Sequence, residues 1–351
     1  MVAGDMGSTD KPRYFDRFLL GPAADAFFLG PGATLLLGLP LLLSKLAGGA
    51  VWAVAEPVML ALVVLFVGPH YAATYRRAYT SMDVIRDHPW VTIAAPVGLL
   101  IVAVGAMRHP TTIGLAFFGL YVGWSGYHYS GQSIGLAMLY PLRQGARLDA
   151  REKRLLKLPL YVSWILSLLG FFRLTMPSRS AAHELVRRAY VGAPVPAWMV
   201  GLGLAALGAS FLGVAQVARE RRRRGTPLPW PTYAVLSAQV TWFTVGLFEP
   251  LFALTLVPVF HSLQYVALTS WHACHGRPAG AKIFAGYAVA IVVLGLLINP
   301  GLFVFAAQSG LAGDALVASA AATAFVNLHH FLLDGRIWRL RERRVVQSMV
   351  A

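Results

Sequence analysis

Ten predominantly apolar runs recur along the chain, at 27–44, 51–75, 90–107, 111–140, 157–176, 196–218, 231–248, 250–275, 281–298 and 312–335. A helix rises about 1.5 Å per residue and the hydrocarbon core of a bilayer is about 30 Å thick, so ~20 apolar residues make one crossing. The pattern predicts an all-α fold, a polytopic integral membrane bundle of about ten transmembrane helices. It divides the chain into an N-terminal segment over 1–26, one transmembrane domain over 27–335 and a basic tail over 336–351. The fourth run is too long for a simple crossing and is expected to tilt or to extend beyond the bilayer. The stretch 300–308 is too short to cross and reads as interfacial or as an extension of a neighbour. Pro40, Pro57, Pro96, Pro159 and Pro196 fall near span ends or mark kinks. No internal repeat and no low-complexity linker is visible.

The polar residues between the runs orient them. Cytoplasmic loops of membrane proteins are rich in Lys and Arg. With the N-terminus in the cytoplasm and the spans alternating, 24 of the 30 basic residues fall inside and 6 outside. Both termini are therefore expected to be cytoplasmic. The expected address is a multi-pass position in a bacterial cytoplasmic membrane. The segment RERRRRG at 219–225 then reads as a solvated cytoplasmic flank of the sixth span rather than a nucleic-acid patch. The N-terminal residues, mixed in charge, do not have the form of a cleavable signal peptide.

Composition agrees. The chain is 57% hydrophobic and 13% charged, with a mean hydropathy of +0.61, where a soluble domain carries about 25% charged residues. The net charge of +15 is spread between apolar runs and meets anionic lipid, so no nucleic-acid partner is expected. The single cysteine, Cys274, excludes an intrachain disulfide.

Histidine changes the picture most. Seven of the ten histidines lie in, or at the end of, membrane-length runs: His70, His128, His261, His272, His275, His329 and His330. His88, His109 and His183 read as loop residues. A polar ring in hydrocarbon costs several kcal/mol unless satisfied, and a metal ion is the simplest partner that imidazoles can share. The charge-derived topology places all seven in the midplane-to-cytoplasmic half of the second, fourth, eighth and tenth spans. The preferred ligands are His70, His128, His261 and His330, one from each helix, with His329, His272 and His275 next. His128 and His261 lie deeper in their runs than the others, so either tilt brings the four level or two sites exist. Helical spacing puts Gln132 on the face of His128, and Gln264 and Tyr265 on the face of His261. Asp334 follows His330 by four residues and is a candidate ligand or orienting carboxylate. Tyr265, Gln132, Gln264 and Asp334 are the candidate catalytic residues. Glu56, Glu249 and Asp314 map near the outer ends, which argues against a carboxylate-bridged di-iron centre.

His70, His128, His261 and the His329–His330 pair give the chain a resemblance in class to the membrane-bound non-haem iron oxygenases. These include fatty-acid desaturases and hydroxylases, alkane hydroxylases and the bacterial carotenoid-cleaving enzymes of the Brp/Blh type. The chain has HxxH at 272–275 and HH at 329–330 but no HxxxH, so its single histidines are more similar to the four-histidine mononuclear site of the carotenoid-cleaving type than to desaturase boxes. The resemblance implies non-haem iron, O2 and an apolar lipid or isoprenoid substrate reached from the bilayer, with a cytoplasmic electron donor for hydroxylation or desaturation. Three other readings stand beside it. They are a bis-histidine haem protein for electron transfer, a proton-coupled transporter, and a zinc-dependent lipid hydrolase or transferase with Asp334 as base.

Overall fold

A computed structural model describes residues 18–47, 49–172, 188–190, 195–274, 280–298 and 315–338. Every regular element among them is helical. In chain order these are α1 (Pro22–Leu29) and α2 (Thr34–Ser44), α3 (Gly49–Tyr79), the short α4 (Met82–Asp87), α5 (Trp90–Arg108), α6 (Leu115–Arg143), α7 (Ala150–Phe172), α8 (Ala197–Arg223), α9 (Trp230–Phe248), α10 (Pro250–Cys274), α11 (Gly280–Leu296) and α12 (Ala315–Ile337).

Each of the ten apolar runs overlaps one of these helices or the α1–α2 pair. Among the described residues, six helices are long and apolar enough to cross a membrane (within α3, α5, α7, α8, α10 and α12), or seven if the bent α1–α2 pair is one span. This is the architecture of a multi-pass membrane protein. The larger count of ten spans rests on the apolar runs of the sequence, and the side on which the termini lie on its charge pattern. Helix α6 falls short on apolarity because it carries Ser125, His128, Ser130, Gln132 and Ser133, and α9 because of Thr232, Gln239, Thr241 and Thr244. At 17 residues α11 is short. The run 300–308, His183 and the tail beyond residue 338 lie outside the described residues.

The α1–α2 pair bends by 53° at Gly30–Pro31–Gly32, where proline removes an N–H and glycine relaxes the backbone. A broken helix inside a bundle leaves backbone groups that need partners. The Leu29 carbonyl accepts a 2.8 Å hydrogen bond from Gln264 Nε2. At the other end, buried Asp25 accepts from the backbone N–H groups of Leu19 and Leu20 and from the Tyr140 hydroxyl, at 2.8–2.9 Å.

Small residues let helices approach closely. Ala103 and Ala106 of α5 pack with Ala318, Ala321, Ala322 and Ala324 of α12. Gly68 of α3 faces Gly295 of α11 so closely that a Cβ on Gly68 would meet the Gly295 carbonyl oxygen at 2.7 Å. Helices α10 and α12 form the centre, with 72% of their most apolar stretch buried, whereas α8 has 17% and packs at the edge on α7.

Candidate metal centre

Helices α3, α6, α10 and α12 each send one histidine to a common point. One ring nitrogen from each of His70, His128, His261 and His330 lies within 4.8 Å of the others. The Nε2 atoms of His70 and His330 are 2.7 Å apart, and those of His330 and His128 are 3.2 Å apart. The His261 ring centroid is 4.8 Å from that of His70 and 4.9 Å from that of His128. All four are buried: His128 is 9% exposed and the others 2% or less.

Of the two arrangements the apolar runs left open, one level or two sites, the structure has the first. The four histidines stand 9, 15, 13 and 7 residues before the ends of α3, α6, α10 and α12 respectively. The helices end at different heights, so position within an apolar run was a poor ruler for depth. Pro69 immediately precedes His70, and Pro258 lies one turn before His261. Both remove an intrahelical hydrogen bond and allow the helix to bend beside its ligand.

These residues fit a metal ion. Imidazole–metal bonds of about 2.0–2.2 Å require ligand nitrogens roughly 3–4 Å apart, and the observed separations of 2.7 and 3.2 Å, with all four nitrogens within 4.8 Å, lie close to that range. Hydrogen bonding alone serves the cluster badly. A ring nitrogen carries either one proton or one lone pair, yet His330 Nε2 faces the Nε2 of both His70 and His128. Both nitrogens of buried His261 lack a protein partner, a state that costs on the order of 1–3 kcal/mol per group. The donor set is all nitrogen, and no second cluster of this kind occurs among the described residues.

Around the four rings lies a polar network. Asp334 Oδ1 accepts from the Tyr265 hydroxyl at 2.9 Å and lies 2.9 Å from Thr74 Oγ1. Trp338 Nε1 donates to the Tyr265 hydroxyl at 2.8 Å. The other carboxylate oxygen, Oδ2, has no hydrogen-bond partner and stands 3.5 Å from His330 Nε2. Phe331 stacks on His128 with centroids 4.3 Å apart. Tyr265 meets the His70 ring edge-on, also at 4.3 Å.

The other sequence candidates occupy different places. His329 turns toward α5: its Nε2 is 3.0 Å from the Val91 carbonyl and 3.3 Å from the Tyr79 hydroxyl. His272 lies outside the four-histidine group, its ring 5.6 Å from that of Trp338. His275 falls outside the described residues. Gln132 Nε2 donates to the His261 carbonyl at 3.0 Å and lies 3.3 Å from Gln264 Oε1, so the two amides brace α6, α10 and the end of α1. Thr74 and Trp338 were not singled out by sequence. The signal was present, since each lies four residues past a candidate, Thr74 after His70 and Trp338 after Asp334, on the same helical face.

A cavity of about 300 Å³ adjoins the centre between α6, α10 and α12. Its walls include Trp124, Tyr161, Leu136, Leu139, Leu268 and Phe331, and His128, Gln132, Tyr265 and Asp334 give its polar surface. Comparison with known protein families, curated proteins and solved structures finds no match. Fold and site thus define a class: a multi-pass helical membrane protein with a buried four-histidine group that could hold a metal ion.

Proposed function

We propose that the protein is a histidine-ligated non-haem iron enzyme of the membrane that uses O2 to oxidise a lipid or isoprenoid substrate. The observation that carries this reading is the four-histidine group bordering, through His128, on a largely apolar cavity. Bound iron with open coordination positions would supply O2 activation. His70, His128, His261 and His330 would hold it. Tyr265, Thr74 and Trp338 orient Asp334, leaving its Oδ2 beside the histidines as a proton acceptor. Gln132 and Gln264 fix the backbone of α10 at His261.

Haem fits these residues less well. A porphyrin fills four coordination positions with its own nitrogens and leaves two for protein, whereas four imidazoles converge here. The partner depends on the bond broken. Splitting a carbon–carbon double bond with O2 gives two carbonyl groups and needs no reductant. Hydroxylation or desaturation also forms water and draws two electrons from a donor, which the basic face would dock if acidic.

The test is metal analysis of purified protein with an optical spectrum, followed by incubation with lipid extract under 18O2. The expected result is about one iron per chain, no Soret band, and substrate-dependent O2 uptake that His261→Ala abolishes. Metal-free wild-type protein, or a Soret band, would overturn the reading.

A further inference from the structure

We propose that the gap between α6 and α12 at Gly131, Gly135 and Gly335 is the entry by which an extended hydrocarbon chain reaches the histidine centre from the bilayer, and that these glycines set the width of chain admitted. The proposal rests on the histidine group being the reaction centre.

The two helices do not pack evenly along their length. Phe117 of α6 shares an apolar cluster with Ala318, Ala321 and Ala322 of α12, and Tyr121 stacks on Phe331 with centroids 6.4 Å apart. The cavity lies beside this contact, lined by α6 from Trp124 to Leu139 and by α12 from Phe331 to Gly335. Most glycines inside a helical membrane bundle serve close packing, and this chain has several of that kind. A Cβ at Gly114 would meet the Ala106 carbonyl oxygen at 3.0 Å, and one at Gly68 would meet Gly295. Gly131, Gly135 and Gly335 differ: a Cβ at any of them would meet nothing within 4 Å. All three line the cavity. Their lack of a side chain serves open space, not helix contact.

The gap also has an outside and an inside. Gly131 and Gly335 are exposed, and Tyr127 beside them is 50% exposed. At the inner end stand His128 and Asp334, each 9% exposed, the latter with its Oδ2 unpartnered. Asp334 is the only acidic or basic residue on the cavity wall, histidine aside, among the described residues. A hydrophilic solute would lose its hydration along such a wall without replacement. An apolar chain loses nothing there, and its inner end would stop beside His128 and Asp334. Gly131 and Gly135 lie one turn apart on α6, so leucine at either would project into the passage.

The test is photo-labelling with two probes, a stearic acid and a farnesol that each carry a diazirine near the chain end. Adducts are mapped by mass spectrometry in wild type, Gly131→Leu, Gly135→Leu and Gly335→Leu. Gly201→Leu is the control, because Gly201 on α8 is exposed and equally uncrowded but remote from the cavity. Leucine favours helix over glycine, and metal content with monodispersity reports an intact fold. Labelling by either probe within 124–139 and 331–338, reduced about tenfold or more by the cavity substitutions but not by Gly201→Leu, supports the entry. Whichever probe labels distinguishes an acyl from an isoprenoid occupant. Labelling absent from both segments, or undiminished in all three cavity variants, overturns it. Labelling in a protein without metal upholds the entry while removing the iron reading. Metal without labelling does the reverse.

Discussion

His329 and His330 are adjacent on α12 yet belong to different environments. His330 Nε2 lies 2.7 Å from His70 Nε2, 260 residues away in sequence, whereas His329 Nε2 lies 3.0 Å from the Val91 carbonyl on α5. Consecutive residues on a helix point about 100° apart, so one side chain enters the centre and the other fastens the helix to its neighbour. Exchange to alanine separates the two roles. His330→Ala should lower metal affinity at least tenfold, an effect as large as that of altering the groups that orient a ligand. His329→Ala should keep the metal and lower only stability, by about 1–2 kcal/mol. Competition with a chelator, read beside thermal unfolding, checks both. Equal metal loss in the two variants would contradict this assignment.

Tyr265 ties three helices together at one oxygen. Its hydroxyl donates to Asp334 Oδ1 on α12, receives Trp338 Nε1 and lies 2.6 Å from Thr74 Oγ1 on α3. Tyr265→Phe keeps the ring against His70 but strands the indole N–H and leaves the carboxylate to Thr74 alone. The expected loss of stability is about 1–3 kcal/mol, with weaker metal retention because Asp334 is held by one hydroxyl instead of two. Phenylalanine behaving as wild type in both measurements would show that the hydroxyl does not position the carboxylate.

Much of this centre was legible in the sequence, and the reason is physical. Polar rings are rare in hydrocarbon, so His70, His128, His261 and His330 stood out against Leu, Val and Ala, and the charge pattern placed them on helices that run the same way. The geometry was less legible. Periodicity shows which residues share a face of one helix, as with His128 and Gln132, but not which face meets the centre, so His329 and His330 could not be told apart. Depth was left open, between one level and two sites, because the helices end at different heights: α6 runs 15 residues past His128 while α12 runs only 7 past His330. The open glycines were not visible either, since Gly126 beneath Trp164 and Gly131 beside empty space read alike in a sequence.

Away from the centre, Arg221 and Glu152 hold α8 to α7. Glu152 is fully buried and receives Arg221 Nε at 2.7 Å, while Arg221 also donates to the Arg147 carbonyl at 2.6 Å. Removing one member of a buried pair leaves the other charge uncompensated, which costs about 3–5 kcal/mol, whereas replacing both by apolar residues is often close to neutral. Arg224 Nη1 lies 3.5 Å from the Glu152 carboxylate and would compensate part of the charge, so Arg221→Met should cost less than that, about 1–3 kcal/mol, and Arg221→Met with Glu152→Met should recover most of the loss. Thermal unfolding in detergent distinguishes the two. A double variant no more stable than the single one would mean that the contact to Arg147, rather than charge pairing, holds the helix.

The basic residues predict the direction in which the bundle sits. Arg219 and Arg221–Arg224 close α8, and Arg143, Arg147 and Arg151 lie near the α6–α7 connection. Arg108 and His109 join α5 to α6 at the opposite ends of those helices. Each Lys or Arg near a membrane surface contributes about 1 kcal/mol of attraction to the anionic cytoplasmic leaflet, so the clustered arginines are expected on the cytoplasmic side. Fusions of green fluorescent protein and of alkaline phosphatase after Arg224 and after His109 test this in cells. Fluorescence without phosphatase activity is expected at Arg224, and phosphatase activity without fluorescence at His109. The reverse pattern would turn the bundle over, and the gap at Gly131, Gly135 and Gly335 would then face the outer leaflet rather than the inner one.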